Sequence, residues 1–191
     1  MEQDLEKLAY EWTTTVVDNI DRTSDYYCQT SDVFRSRSDK MLGDLLKTNN
    51  LAEEESYLIS AMVGEIGNNS FDHNLGRWPD VAGIFFGCNI TDDKVKIVLA
   101  DRGQGVLKTL KQVKPALAND VEALQVAFTE RISGRAPENR GNGLKFVRKN
   151  IKNIKMHLIF ISGNAQAELN EKMKIQEQEE NIKGCLAILS L

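Results

Sequence analysis

The sequence predicts an α+β protein, a two-layer sandwich in which helices cover one face of a mixed, mostly antiparallel sheet. Three observations support this. Apolar residues recur at helical spacing early in the chain, β-branched residues dominate after Pro79, and the chain ends in apolar runs separated by turn residues. The 191 residues are 41% hydrophobic and 27% charged, which suits one globular domain with a small N-terminal addition.

The helices are predicted mainly in the first 75 residues. The first covers 3–20, a loop follows, and a short helix covers 38–48. The next helix begins near Leu51 and carries three glutamates in its first turn, where the helix dipole favours negative charge. We therefore expect residues 1–50 to form an N-terminal helical extension and residues 51–191 to form the main domain.

The strands are predicted after Pro79. The stretches AGIFFGCNIT and KVKIVLA flank DD, which indicates a hairpin. A helix over 117–129 and another over LKFVRKNIKNI come next. The sequence then predicts three strands, in the stretches MHLIFIS, EKMKIQEQE and GCLAILSL, with a Gly-Asn turn after the first and another turn after the second.

Composition argues against several classes of function. The net charge of −4 and the pI near 5.3 are unlike those of a typical nucleic-acid binder. Three widely spaced cysteines, no CxxC and no HExxH leave a zinc or thiol–histidine enzyme poorly supported and indicate reduced thiols in a cytoplasmic protein. The apolar runs are short and the N-terminus is acidic, so we expect no membrane partner and no signal peptide.

The stretch GEIGNNSFDHN places polar side chains at the end of an apolar helix. Glu65, Asn69 and His73 are spaced i, i+4, i+8 and so form one stripe. A carboxylate and an amide oxygen one turn apart suit a site for Mg²⁺ and an activated water. The alternative is a solvated helix end whose asparagines, Asn74 among them, act as caps.

Two glycine-containing stretches are further candidates. In DRGQG, Asp101 follows a strand directly and could accept a hydrogen bond from an exocyclic amine, with Gly103 and Gly105 allowing close approach; the alternative is a simple turn. In RGNGLKFV, Gly141 and Gly143 precede a helix start that carries no acid and could bind phosphate; the alternative is a flexible loop.

In this order, E-x-x-x-N on a helix, D-x-G-x-G after a strand and G-x-G-L opening a helix resemble the nucleotide site of the GHKL superfamily of ATPases and kinases. The resemblance covers roughly residues 51–191. It implies the Bergerat fold, bound ATP and Mg²⁺, and an ATP lid over about 106–140 that is mobile and becomes ordered with nucleotide.

The resemblance also implies a role for each matching residue. Glu65 is the base, Asn69 the Mg²⁺ ligand and Asp101 the reader of the adenine amino group. Gly103 and Gly105 lie next to the nucleotide. The phosphate-contacting third motif is formed by Gly141, Gly143 and Leu144, and Arg140 is positioned to reach the γ-phosphate.

The resemblance implies a regulatory ATPase or a protein serine/threonine kinase of the anti-sigma type. Glu65 favours these over histidine kinases, which usually carry asparagine at this position, and His73 matches the anti-sigma pattern. A non-catalytic nucleotide switch and a stand-alone histidine-kinase catalytic domain are the alternatives. Cys185 departs from the family, because a threonine that helps to fix adenine is usual there.

A basic stripe marks the helix that follows the third motif. Lys145, Arg148, Lys149 and Lys152 share one face, and no acid occurs from Leu144 to Lys155. The stripe is either a solvent-exposed helix face or a docking surface for an acidic partner. We expect a regulatory protein partner, with a homodimer left open, and we do not expect nucleic acid because aromatic residues are not interleaved with the basic ones.

Overall fold

The computed structural model describes residues 4–131 and 143–191. The helices in these ranges are α1 Leu5–Thr14, α2 Ser31–Leu45, α3 Glu53–Asn74, α4 Gly105–Leu110, α5 Asp120–Thr129 and α6 Gly143–Asn153. The strands are β1 Tyr27–Cys28, β2 Ile84–Thr91, β3 Lys94–Asp101, β4 His157–Leu169 and β5 Met173–Ser190.

The five strands form one sheet in the order β1-β2-β3-β5-β4, and every neighbouring pair is antiparallel. The predicted α+β class with a mostly antiparallel sheet is therefore confirmed. The predicted hairpin is β2–β3, in which Thr91 pairs with Lys94 across the two-residue turn.

Helices α2, α3, α5 and α6 pack on one face of the sheet, as the predicted two-layer sandwich expects, but α1 packs on the other face. Ile97 and Leu99 of β3 belong to the larger core, together with buried residues of α2, α3, α5 and α6. Val98 and Ala100 point the other way, into a smaller core with α1. Successive strand residues face opposite sides, so β3 is apolar on both and needs a layer on each.

Residues 1–50 contribute to both of these cores. Helix α2 begins at Ser31, earlier than predicted, because Thr30 caps it: Oγ1 of Thr30 accepts a hydrogen bond from the backbone N–H of Val33 at 3.3 Å. The segment predicted as a loop contains β1, which pairs with the β2 edge. The N-terminal residues thus lie in the same layers as the rest of the chain.

The C-terminal part forms two long strands where three were predicted. The Gly-Asn pair at 163–164, expected to be a turn, is an irregularity within β4, with register shifts on both sides of Gly163. Strand β5 then continues from Met173 to Ser190 without a second turn. A β-bulge adds a residue and bends a strand while pairing continues beyond it, which explains the turn-like sequence.

A glycine in the middle of α3 is explained by packing. A Cβ atom on Gly67 would lie 2.2 Å from Cζ of Phe34, a fully buried residue of α2. Gly67 costs about 1 kcal/mol of helix propensity relative to alanine. In return the Phe34 ring packs directly against the α3 backbone, which fixes α2 beside the helix that carries the predicted base.

The interval predicted as an ATP lid begins with packed structure. Helices α4 and α5 lie within or at the start of it, and Ala123, Leu124 and Phe128 of α5 are buried. Residues 105–131 are therefore part of the folded body. The rest of the predicted interval, residues 132–140, lies outside the described residues.

Arg102, which directly follows β3, forms an ion pair with Asp80 and a hydrogen bond to α1. The guanidinium of Arg102 is inaccessible to solvent; its Nε and Nη2 donate to the carboxylate of Asp80, and its Nη1 donates to the carbonyl of Trp12. Burial alone would raise the pKa of Asp80, but hydrogen bonds from Arg102 and Lys183 outweigh it and hold that pKa well below its usual range. The stability from this shift is present above the unfolded-state pKa of about 4 and is lost as pH falls below it.

We expect Arg102→Met to lower the free energy of unfolding by about 3–5 kcal/mol, because it leaves the Asp80 carboxylate without its buried partner. The matched control is Lys183→Met, which removes the other cation on Asp80. The Lys183 side chain is 51% exposed, so its loss should cost no more than about 1 kcal/mol. Urea unfolding measures the loss in free energy of unfolding for both variants. Equal losses would show that Arg102 contributes no more to stability than the exposed Lys183.

None of the helices in residues 4–131 and 143–191 combines the length and the apolar character needed to cross a membrane.

Candidate functional site

A cavity of about 980 Å³ lies between α2, α3, α4, α6 and the adjoining ends of the sheet strands. Its volume falls within the usual range for small-molecule sites. Its lining brings together residues that are far apart in the sequence, from α3 (Glu65, Asn69), β3 (Asp101), α4 (Gly105), α6 (Gly143, Leu144) and β5 (Cys185). All of these except Cys185 were predicted as site residues, so six predicted site residues line one cavity.

Asp101 is the buried polar group at one end of this cavity. It is the last residue of β3 and only 2% exposed. Its Oδ2 accepts a hydrogen bond from Oγ of Ser70 at 2.7 Å, and its Oδ1 accepts one from the backbone N–H of Gly103 at 2.8 Å. These two bonds fix the carboxylate and leave acceptor lone pairs for a ligand.

No lysine or arginine in the described part of the chain forms an ion pair with Asp101. Burial raises the pKa of its carboxyl, and the hydrogen bonds from Ser70 and Gly103 oppose that shift. Burial also raises the pKa of the Cys185 thiol well above its usual value, and the nearby Asp101 raises it further. The thiol therefore stays protonated, with its Sγ 3.6 Å from Oγ of Ser162.

Asn74 holds the loop that follows Asp101. Its Nδ2 donates to the carbonyl of Ser70 at 2.8 Å, and its Oδ1 accepts from the backbone N–H of Gln104 at 2.8 Å. The side chain thus bonds to a carbonyl in the last turn of its own helix, in line with the capping interpretation, and also ties α3 to the site loop. Ser70 and Asn74 were not predicted as site residues; the only sequence signal is that they lie one turn apart beyond Ile66.

Gly184 allows the backbone to pass directly behind Asp101. It has a φ of +66°, and a Cβ atom there would lie 2.2 Å from the carbonyl oxygen of Asp101 and 2.4 Å from its Oδ1. Neither the left-handed backbone nor the contact tolerates a side chain. The glycine before the last strand is therefore needed for the position of the carboxylate.

We expect Gly184→Ala to lower the free energy of unfolding by at least about 1–3 kcal/mol, because it combines backbone strain with a clash. The matched control is Gly43→Ala in α2, where a Cβ atom would meet nothing within 4 Å and the helix should gain about 0.5–1 kcal/mol. Thermal unfolding of both variants is the measurement. A Gly184→Ala protein as stable as the wild type would contradict the packing described here.

The other end of the cavity contains Glu65, Asn69 and the start of α6. A Cβ atom on Gly143 would lie 2.5 Å from Oε2 of Glu65 and 3.2 Å from Nδ2 of Asn69. The glycine therefore lets the helix start come into contact with both side chains. No acid occurs in the first turn of α6, so the free N–H groups and the helix dipole there favour an anion.

The remaining predicted site residues differ in their positions. Gly105 lines the cavity at the start of α4 with a φ of +74°. Gly103 does not line it; a Cβ atom there would meet the Asn74 amide at 2.0 Å, so Gly103 supports Asp101 from behind. Arg140 and Gly141 lie outside the described residues. His73 lines the cavity, as the helical stripe predicts.

The described residues offer few ligands for a metal at this site. Within the described ranges, no group of three or more His, Cys, Asp or Glu side chains could hold a metal ion. Asn69 and Glu65 supply oxygen atoms one turn apart, which fits Mg²⁺, since this ion commonly keeps several waters and takes few protein ligands beside substrate phosphates.

The cavity thus has two chemically distinct ends. One has a buried acceptor among apolar residues such as Val106 and Phe160, which suits a flat ring that bears an N–H donor. The other has a carboxylate, an amide and a helix N-terminus, which suit an anion accompanied by a cation. Comparison of the sequence with protein-family models and with curated proteins gave no match.

Proposed function

We propose that this chain binds ATP together with Mg²⁺ in the cavity, with a Bergerat-type fold, and acts as a regulatory ATPase or protein serine/threonine kinase. The observation that carries the proposal is Asp101, a buried carboxylate that pairs with no cation in the described part of the chain. It is held by Ser70 and Gly103 at the apolar end of a cavity of suitable size. Such a group is costly to bury unless a ligand donor completes its hydrogen bonds.

The adenine ring is the donor that fits this end. Its exocyclic amine would donate to Asp101, and the ring would pack among the apolar side chains around Val106 and Phe160. Cys185 occupies the strand position directly paired with Asp101. Since a thiol is a weak hydrogen-bonding group, Asp101 carries most of the base recognition.

The phosphates fit the opposite end. The start of α6 offers backbone N–H groups without an acidic side chain in its first turn, and Gly143 removes the Cβ atom that would block approach. The Glu65 carboxylate lies beside Gly143, so it would repel a phosphate bound at the start of α6. Asn69 would hold Mg²⁺ through its side-chain oxygen, and the bound cation would offset this repulsion.

Glu65 is the residue suited to proton transfer. It is exposed in the cavity and lies one helical turn from Asn69. Its carboxylate can accept a proton from a water or a serine hydroxyl as that oxygen attacks the terminal phosphate. Positioned general bases of this kind typically contribute about 10²–10⁴-fold to a rate.

Incubation of the purified protein with Mg²⁺ and γ-labelled ATP, with and without a serine-containing acceptor protein, tests the reaction. Labelled free phosphate supports an ATPase, and label on serine supports a kinase. Bound ATP with no release in either form would replace the catalytic proposal with a nucleotide-dependent switch. Failure to bind ATP would overturn the whole proposal.

A further inference from the structure

A second concave surface lies away from the cavity, and we call it the basic groove. It has a volume of about 640 Å³ and runs between α6 and the turn that joins β4 to β5. One wall is the α6 stripe of Lys145, Arg148, Lys149 and Lys152, and the other includes Lys172. Cations therefore face the groove from two separate elements, which a simple solvent-exposed helix face would not produce.

Among the described residues, the cations of the basic groove have no acidic partner. Five lysines elsewhere in residues 4–131 and 143–191 do pair with carboxylates, among them Lys114 with Glu130 and Lys183 with Asp80. Glu171 at the turn is the one acid among the described lining residues, so these residues give the groove a clear positive excess.

The floor of the groove is apolar. Phe128, Leu169 and Met173 lie between the two basic walls, and the Arg148 guanidinium spans to the carbonyl of Phe128 at 3.4 Å. The Phe128 ring is only 1% exposed, so it offers no face on which a nucleic-acid base could stack. Leu169 is equally buried, whereas Met173 is partly exposed. The groove therefore fits a peptide with mainly acidic side chains and an apolar side chain that contacts Met173.

We propose that the basic groove is the docking site for an acidic, partly apolar peptide segment of a partner protein. The charge complementarity of two facing basic walls selects the acidic side chains, and Met173, the partly exposed residue of the floor, contacts the apolar part. This docking does not depend on nucleotide in the cavity. Because Gly143 of α6 lines the cavity while Lys149 of the same helix lines the groove, one rigid element nevertheless connects the two sites.

Fluorescence anisotropy with a short fluorescein-labelled peptide of Glu and Leu tests the proposal on the full-length protein at physiological salt. The wild type should bind this peptide and not the same peptide with Gln in place of Glu. Lys149→Gln/Lys152→Gln should weaken binding roughly five- to tenfold, and Lys172→Gln on the opposite wall should weaken it by about two- to fivefold.

The matched control is Lys94→Gln/Lys111→Gln, which removes the same charge from exposed positions outside the groove and should leave binding unchanged. Equal weakening in the control, an unchanged affinity in the groove variants, or no binding by the wild type would overturn the proposal. Tighter binding of a labelled oligothymidylate than of the acidic peptide would also overturn it, in favour of nucleic acid.

Discussion

Asp101→Asn is expected to weaken ATP binding by about 10- to 100-fold. A hydrogen bond to a charged group is worth about 1.5–3 kcal/mol, and each 1.4 kcal/mol is tenfold in affinity. The amide keeps the size of the carboxylate but only one acceptor oxygen. In the structure, the two oxygens of Asp101 accept separately from Ser70 and Gly103, so an amide cannot satisfy both donors and the ligand. Calorimetric titration with Mg²⁺ and ATP measures the loss.

A matched control separates recognition from folding in that experiment. Asp80→Asn also changes a carboxylate in a hydrogen-bonded network, but Asp80 bonds to Arg102 and Lys183 outside the cavity. It should lower thermal stability and leave ATP affinity unchanged. If Asp80→Asn weakened ATP binding as much as Asp101→Asn, general destabilisation would explain both, and the role of Asp101 would be lost.

Glu65→Gln is expected to leave ATP binding nearly intact while lowering turnover by about 10²–10⁴-fold. The amide has the same shape as the carboxylate and can still contact the start of α6, but it cannot accept a proton at neutral pH. Steady-state phosphate release, measured beside calorimetric binding, separates the two effects.

The control for that variant is Glu54→Gln, an exposed glutamate in the first turn of the same helix and outside the cavity. It should change neither binding nor turnover. Unchanged turnover in Glu65→Gln would remove Glu65 as the base. Loss of ATP binding in Glu65→Gln would indicate that the residue acts in positioning, so that a rate loss could not be assigned to proton transfer.

The parts of the site that could be predicted from sequence are those with a local pattern. Helical spacing placed Glu65 and Asn69 on one stripe, and both line the cavity. Asp101 could be placed because an acid directly after an apolar strand marks the strand end, where ligand groups often lie. Neither prediction needed the partners of these residues to be known.

The supporting contacts could not be predicted because they join distant parts of the chain. Ser70 lies 31 positions from Asp101, and the Gln104 N–H lies 30 positions from the Asn74 side chain that accepts its hydrogen bond. The position of Gly184 behind Asp101 depends on the register of β3 against β5, in which Asp101 pairs with Cys185. Register follows from packing of the whole sheet, which no short stretch specifies.

The sequence indicates that β3 is buried on both faces, but helical and strand periodicity alone do not show which helix covers the second face. The run IVLA at 97–100 is apolar at every position, which is typical of a strand buried on both faces. In the structure Ile97 and Leu99 face the larger core, while Val98 and Ala100 face α1. The prediction of a first helix was thus correct. Its position on the opposite face of the sheet could be inferred only from that uninterrupted apolar run.

Adenine recognition by Asp101 is the central claim, and the most direct test is calorimetric titration of the unaltered protein with ATP and with GTP, each with Mg²⁺. Adenine presents an amino group at the position where guanine presents a carbonyl oxygen. A buried carboxylate accepts a hydrogen bond from the amino group and repels the oxygen. The account predicts measurable ATP binding and at least about tenfold weaker GTP binding. Equal affinity for the two nucleotides, or no binding of ATP, would contradict it.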